Sequence, residues 1–293
     1  MVQGTRLKPA PFTYHDPTTV SELVSLLGSL EDAKLLAGGQ SLMPMLNMRL
    51  VQPDHLIDLN TVQDLDRIET TPSGLMVGSM VRQAALMNSG EAAGLPLLAE
   101  ALEWVGHFQT RTRGTIGGSL SHLDPAAELP VVALLHDGEL TVEGPQGTRT
   151  VAMSDWPVGY LMPDLAESEI LTSIELRAWS EPHGHAFEEF ARRHGDFAIV
   201  AVGALLAVTD GVITRAAVAM AGAQPTPSRL DEVEEALIGQ PVGAETFRAA
   251  ADLARRREAM TDAYVNEAYR QRLAGVLTER TLAKAAARAG EGS

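Results

Sequence analysis

Two glycine pairs carry the most suggestive chemistry in this chain of 293 residues. The first lies within Leu36-Ala37-Gly38-Gly39-Gln40-Ser41-Leu42, the second within Gly114-Thr115-Ile116-Gly117-Gly118-Ser119-Leu120. A glycine pair permits unusual dihedrals and takes Cβ atoms out of the path of a ligand. Successive main-chain N–H groups can then converge on a phosphate. Ser41, Thr115 and Ser119 add short hydroxyl donors. Two such turns could grip one pyrophosphate from both sides, although either alone reads more simply as an ordinary tight turn. Arg111 and Arg113, just before the second pair, are a basic patch for a phosphate or solvent-facing arginines.

Other chemistries find less support. No Gly-x-Gly-x-x-Gly or Gly-Lys-Ser/Thr occurs, so neither a Rossmann nor a Walker phosphate site is expected. There is no Gly-x-Ser-x-Gly nucleophile elbow. His183, His185 and His194 do not have the spacing of a metal ligand set, and no metal site is expected. His122 sits close to the second pair, as a ligand contact or a structural hydrogen-bonding group. Met43, Met45 and Met48 follow the first pair and are expected mainly in the core, with a pliable ligand wall as the other reading. No side-chain catalytic acid, base or nucleophile is identified.

The elements that must position these residues read as mixed α and β. Thr18 or Thr19 caps a helix containing Val20, Leu23, Val24 and Leu27, with Gly28 as its stop. Short strands are expected at Lys34 to Ala37, Leu56 to Leu59 and Leu75 to Gly78. Helical spacing marks Arg82 to Asn88, Pro96 to Trp104, and Pro125 to Leu135 with Pro125 at its start. Strands follow at Glu139 to Val142, Thr148 to Ala152 and Ile170 to Leu176. The stretch 181–185 reads as a linker. Beyond it come two strands joined by Thr209-Asp210-Gly211, then three long helices, suggesting an α+β unit with a three-stranded sheet.

Composition bounds the partners. A net charge of -15 argues against nucleic acid and anionic lipid. The absence of cysteine excludes disulfides and thiolate-held iron–sulfur clusters in this chain. No apolar run approaches the length of a membrane span, and Met1 to Pro11 lacks a signal-peptide core, so a cytoplasmic protein is expected.

Five motifs, in order over about residues 10–285, give the chain a family likeness. They are Leu36 to Leu42, Arg113 to Gly118, Asp124-Pro125-Ala126-Ala127-Glu128-Leu129-Pro130, Glu169-Ile170-Leu171, and Arg192 to Ala198. The chain resembles the FAD-binding medium subunit of the xanthine dehydrogenase and carbon monoxide dehydrogenase group of molybdenum hydroxylases. The resemblance implies an α+β protein: a two-lobed FAD-binding domain of the vanillyl-alcohol-oxidase (PCMH) type, then a smaller C-terminal domain of the CO dehydrogenase flavoprotein type. The expected divisions are 1–60, 61–180 and 186–289.

The likeness also implies roles. Ala37, Gly38, Gly39, Gln40 and Ser41 lie against the FAD pyrophosphate from one lobe, with Leu36 and Leu42 beside them as cofactor-binding residues. Thr115, Ile116, Gly117, Gly118 and Ser119 do so from the other. Glu128 bonds the polar part of the dinucleotide, or else is an exposed helical carboxylate. Asp124 caps the helix at Pro125, binds the cofactor, or both. Leu171 lies near the adenine. Phe197 stands beside the isoalloxazine or is a plain core aromatic, and Asp196 fixes the turn that presents it. Many relatives carry a lysine near Glu188, and the opposite charge here weakens any case for NAD reduction. His107-Phe108-Gln109-Thr110 is less typical of the family, which often has a β-branched apolar residue at Thr110.

The expected function is therefore electron transfer by a flavoprotein subunit. A large molybdenum-cofactor subunit would hydroxylate the substrate. A small 2Fe-2S subunit would relay electrons to FAD here, and an external acceptor would take them. The assembly expected is a dimer of heterotrimers. The substrate is open between carbon monoxide, purines, N-heterocycles and aldehydes, with Gln40 leaning away from carbon monoxide. The rival readings are a self-contained FAD oxidoreductase and a cofactor-free scaffold.

Overall fold

The computed structural model describes residues 8–291. Of the stretch Met1 to Pro11, residues 1–7 lie outside the described residues.

Three sheets follow one another along the chain. The first is a parallel β1-β3-β2 sheet of β1 (Thr13–His15), β2 (Ala33–Leu36) and β3 (His55–Asp58). The helix α1 (Val20–Ser29) crosses from β1 to β2 and buries Leu23 and Leu27. Thr19 caps it, its hydroxyl accepting the Glu22 N–H at 3.2 Å. Gly28 does not stop this helix. It lacks the left-handed φ of a glycine stop, and α1 ends when the Leu30 N–H reaches Leu26 O at 3.0 Å. After β2 the chain turns through Gly38-Gly39 into the short helix α2 (Leu42–Asn47).

The second sheet begins with β4 (Ile68–Thr71) and β5 (Gly74–Gly78). Five helices then precede its remaining strands: α3 (Gln83–Met87), α4 (Pro96–Trp104), α5 (Phe108–Arg113), α6 (Ile116–His122) and α7 (Glu128–Leu135). The sheet resumes with β6 (Glu139–Gly144) and β7 (Gly147–Ala152). A small hairpin, β8 (Pro157–Gly159) and β9 (Met162–Pro163), precedes β10 (Ile170–Arg177). The strand order is β4-β5-β10-β6-β7, antiparallel throughout. β4 and α5 were not anticipated from sequence. Thr70 and Thr71 of β4 and the polar Gln109 to Arg113 of α5 give no apolar periodicity to read.

Two expectations here need correction. The second glycine pair is not a free turn: Gly117 and Gly118 form the first turn of α6. Thr115 is its cap, and the Thr115 hydroxyl accepts the Gly118 N–H at 3.0 Å. The helix at Pro125 starts later, at Glu128. Leu123 takes a left-handed φ of 50° to end α6. Asp124 Oδ1 then accepts the Ala126 N–H at 2.8 Å, so residues 124–127 form an Asx-type turn and Asp124 does not cap α7.

The third sheet is β11-β12-β13-β14, from β11 (Gly184–Phe190), β12 (Val200–Thr209), β13 (Val212–Ala221) and β14 (Ser228–Arg229). It has four strands rather than three, because β11 starts inside the expected linker. Gly184 is the reason a strand fits there: α10 (Glu267–Glu291) crosses so closely that a Cβ would stand 1.8 Å from Ala285 O. Asp210 and Gly211, both at positive φ, make the two-residue turn between β12 and β13. The helices α8 (Asp231–Leu237), α9 (Ala244–Arg256) and α10 cover one face of this sheet. The other face meets α7, whose eight residues are all buried. Leu205 and Ala217 thereby share a core with Leu129 and Leu135, so the second and third sheets sandwich one helix.

Candidate functional site

A cleft of about 750 Å³ opens where the first and second sheets meet. That is toward the upper end of small-molecule and cofactor sites, roughly 300–1,000 Å³. Its walls come from the β2–α2 turn, the segment after β5, the start of α6, Leu171 of β10 and residues 195–197.

The two glycine segments touch each other. A Cβ on Gly38 would lie 2.3 Å from Arg113 O and 2.8 Å from Gly114 Cα. A Cβ on Gly117 would lie 2.4 Å from Ser79 Cβ and 2.8 Å from its Cα. These glycines are required by main-chain packing between segments. Gly39 differs: its φ of +73° is left-handed, and it turns the chain into α2. Gly38, Gly39, Gln40, Ser41 and Leu42 line the cleft. Their five consecutive N–H groups find no acceptor among the described residues, and neither does that of Thr115. Gly38 is buried, Gly39, Ser41 and Leu42 are half-buried and Gln40 is exposed, so these donors lie along the cleft where an outside acceptor can reach them. Ser79 Oγ and Gln83 Oε1 are likewise buried at the cleft wall without a partner.

One wall is acidic. Glu128 is buried at 9% exposure and faces the cleft, so it is not an exposed helical carboxylate. Burial, with the charge of Asp124 adding to it, pushes its carboxyl up to about 7. Glu189 of β11 is buried beside it, with Oε2 unpartnered. Its carboxyl is pushed up to about 8 by burial and by the charge of Glu128. Glu188 points the other way. It accepts from Lys284 Nζ of α10 at 3.1 Å and does not line the cleft, so its charge is neutralised away from the site. β-strand alternation separates the two acids.

The other expected residues fall as follows. Ala37, Gly118, Ser119, Thr115, Asp124, Leu171 and Asp196 line the cleft with those already named. Leu36 and Ile116 do not; Ile116 packs in the core of the second sheet. Phe197 lines the rim at 72% exposure and is no core aromatic. His122 also lines the cleft. The methionines are not core: Met45 lines the cleft, while Met43 and Met48 are exposed. Arg111 does not line the cleft, and its Nη1 donates to Val105 O at 2.9 Å and Gly106 O at 3.2 Å. Ser79 and Gln83 were missed; a lone Ser and a lone Gln carry no sequence signal. No cluster of His, Asp and Glu suited to a metal occurs among the described residues.

Known proteins share this architecture. Residues 10–179 match the family model described as the FAD binding domain in molybdopterin dehydrogenase. Residues 185–285 match the CO dehydrogenase flavoprotein C-terminal domain. The chain is 37% identical to the nicotine 6-hydroxylase medium subunit of Paenarthrobacter nicotinovorans, over 96% of this chain and 100% of that one. It is 36% identical to the carbon monoxide dehydrogenase medium chain of Hydrogenophaga pseudoflava, over 96% and 99%. The solved carbon monoxide dehydrogenase of Hydrogenophaga pseudoflava superposes with a TM-score of 0.93 at 37% identity, covering 96% of this chain and 99% of that one. Quinoline 2-oxidoreductase from Pseudomonas putida 86 gives a TM-score of 0.93 at 32% identity, with the same coverage. Two matched domain models spanning nearly the whole chain, and relatives of the same length, place it in one family: the chain belongs to the FAD-binding medium subunits of the molybdenum hydroxylases.

Proposed function

We propose that the cleft holds FAD with its pyrophosphate against the N–H groups of Gly38 to Leu42 and Thr115. The observation that carries this reading is the run of five unpartnered main-chain donors lining a cofactor-sized cleft. Ser79 and Gln83 offer further polar contacts, and Glu128 accepts from ligand hydroxyls. Leu171 lies along the adenine part, and the exposed ring of Phe197, presented by the Gly195-Asp196 turn, covers the isoalloxazine. When bound, the flavin supplies the redox chemistry, and this chain fixes its position, excludes water and controls access.

The same reading assigns partners. The relatives are named as medium or lettered subunits of dehydrogenases and hydroxylases. A chain without cysteine holds no thiolate-bound iron–sulfur cluster, which fits electron delivery from centres held by a partner. A large molybdenum-cofactor subunit, a small 2Fe-2S subunit and an external acceptor complete the path, in a dimer of heterotrimers. Relatives at 36% and 37% identity carry names specifying carbon monoxide and nicotine, so substrate choice resides in the large subunit.

The test is flavin content. Gly39→Val places a side chain at φ +73°, which costs about 1–2 kcal/mol locally. Purified Gly39→Val protein should keep its circular dichroism and lose most of its FAD absorbance. Full flavin stoichiometry in this variant would sink the assignment. Gly117→Val is a poorer probe, because its side chain would strike the Ser79 backbone and disturb the second sheet.

A further inference from the structure

Behind the two glycine segments lies a polar network that faces away from the cleft. Arg82 precedes α3 and is partly buried. Its Nη1 donates to Arg113 O, and its Nη2 donates to Asn60 Oδ1. Asn60 Nδ2 donates to Ala37 O at 3.3 Å and to Asp58 Oδ1. Asp58 Oδ1 also accepts the Asn60 N–H at 2.9 Å, and Asp58 Oδ2 accepts from Tyr14 Oη at 2.6 Å. One guanidinium thus joins the carbonyl before the second glycine segment to the carbonyl before Gly38, through a single amide.

The network has one consistent polarity. Arg82 can only donate and Ala37 O can only accept, so the amide of Asn60 must present oxygen to the first and nitrogen to the second. The hydrogen bond also fixes the Ala37–Gly38 peptide. In a trans peptide the C=O and N–H point in opposite directions. Drawing Ala37 O back onto Asn60 therefore turns the Gly38 N–H the other way, and that N–H has no acceptor among the described residues. The same guanidinium holds Arg113 O, the atom a Cβ on Gly38 would strike. The close approach of the two segments is thus bonded at its back.

We propose that Arg82 and Asn60 are positioning residues that aim the Gly38 N–H at a bound diphosphate and lock the two glycine segments in register. Neither side chain lines the cleft, so both act through main chain. The inference rests on the FAD reading above. It goes beyond that reading by placing diphosphate selectivity in two residues that do not touch the ligand.

The test uses the full chain stripped of flavin and titrated with FAD and, separately, with riboflavin, which lacks phosphate. Arg82→Met removes both donations; Asn60→Ala removes the hold on Ala37 O and serves if Arg82→Met misfolds. Arg82→Lys keeps the charge without the two-pronged geometry. In Arg82→Met and Asn60→Ala, preference for FAD over riboflavin should fall about tenfold, since one lost charge-assisted contact is worth about that factor. Arg82→Lys should recover only part of it. FAD preference within twofold of wild type in both variants, or an equal fall for both flavins, would overturn the proposal. A wild-type chain that takes up no FAD would instead overturn the functional reading beneath it.

Discussion

Glu128 and Glu189 are two carboxyls in one buried patch, and their protonation is a property of the pair. Burial raises them to about 7 and about 8, against about 4.3 in an unfolded chain. The folded state therefore binds more protons than the unfolded state across that interval. The stabilisation is present in full below the unfolded value and is lost as pH rises through the folded values, at up to about 1.4 kcal/mol per unit for each group. The charges that bear on Glu128 include Asp124, which adds to the effect, and Arg111, which opposes it. The flavin-free chain should melt at a falling temperature from pH 5 to pH 8.5, and Glu189→Gln should flatten that slope. Parallel melting curves for the two proteins would show that the pair is not coupled to folding. Neither acid's protonation was legible in the sequence, because it depends on which strand face Glu189 takes. The glycines were legible as necessary, but for a partly wrong reason: Gly38 and Gly117 make room for neighbouring backbone, while Gly39 supplies the turn.

Among elements, α10 shows how a helix with plain amphipathic spacing can do a second task. Its Lys284 and Arg288 reach Glu100 of α4 at 2.7 and 2.6 Å, so it ties the third sheet to the second. Glu100 is only 14% exposed and its carboxyl is held below the usual range despite burial, which opposes this; donation from Arg288 and Lys284 outweighs it. Arg288 also donates to His185 O at 2.7 Å. Glu100→Gln should cost about 1–3 kcal/mol, less than a fully buried pair because both cations are partly exposed. Amide exchange along 280–290 should quicken in this variant while β5 and β10 stay protected. Uniform acceleration, or none, would count against the clamp. The helix itself was readable from its period, and so were α4 and α9. The clamp was not, since Glu100 and Lys284 stand 184 positions apart. Elements without an apolar period, such as β4 and α5, were invisible for a related reason: tertiary partners create them.

At the scale of the molecule, the cleft lies between segments that belong to different sheets. Ala37 to Leu42 leave the parallel sheet, whereas Ser79, Thr115 and Leu171 belong with the antiparallel one. A ligand bonded to both sides adds a tie absent from the free chain and absent from the unfolded one. Its effect follows from mass action: at a free concentration of 100 times the dissociation constant, binding to the native state alone adds about 2.7 kcal/mol. For a chain of this size that corresponds to a rise in melting temperature of about 5 °C, at roughly 2 °C per kcal/mol. Each tenfold increase in FAD beyond saturation should add about 1.4 kcal/mol more. The first and second sheets should respond together. Limited proteolysis after Asn47 and within 106–113 should slow in parallel as FAD is raised, since those segments flank the cleft from opposite sides. A melting temperature indifferent to FAD concentration, or protection confined to one side, would mean that the ligand does not bridge the two sheets.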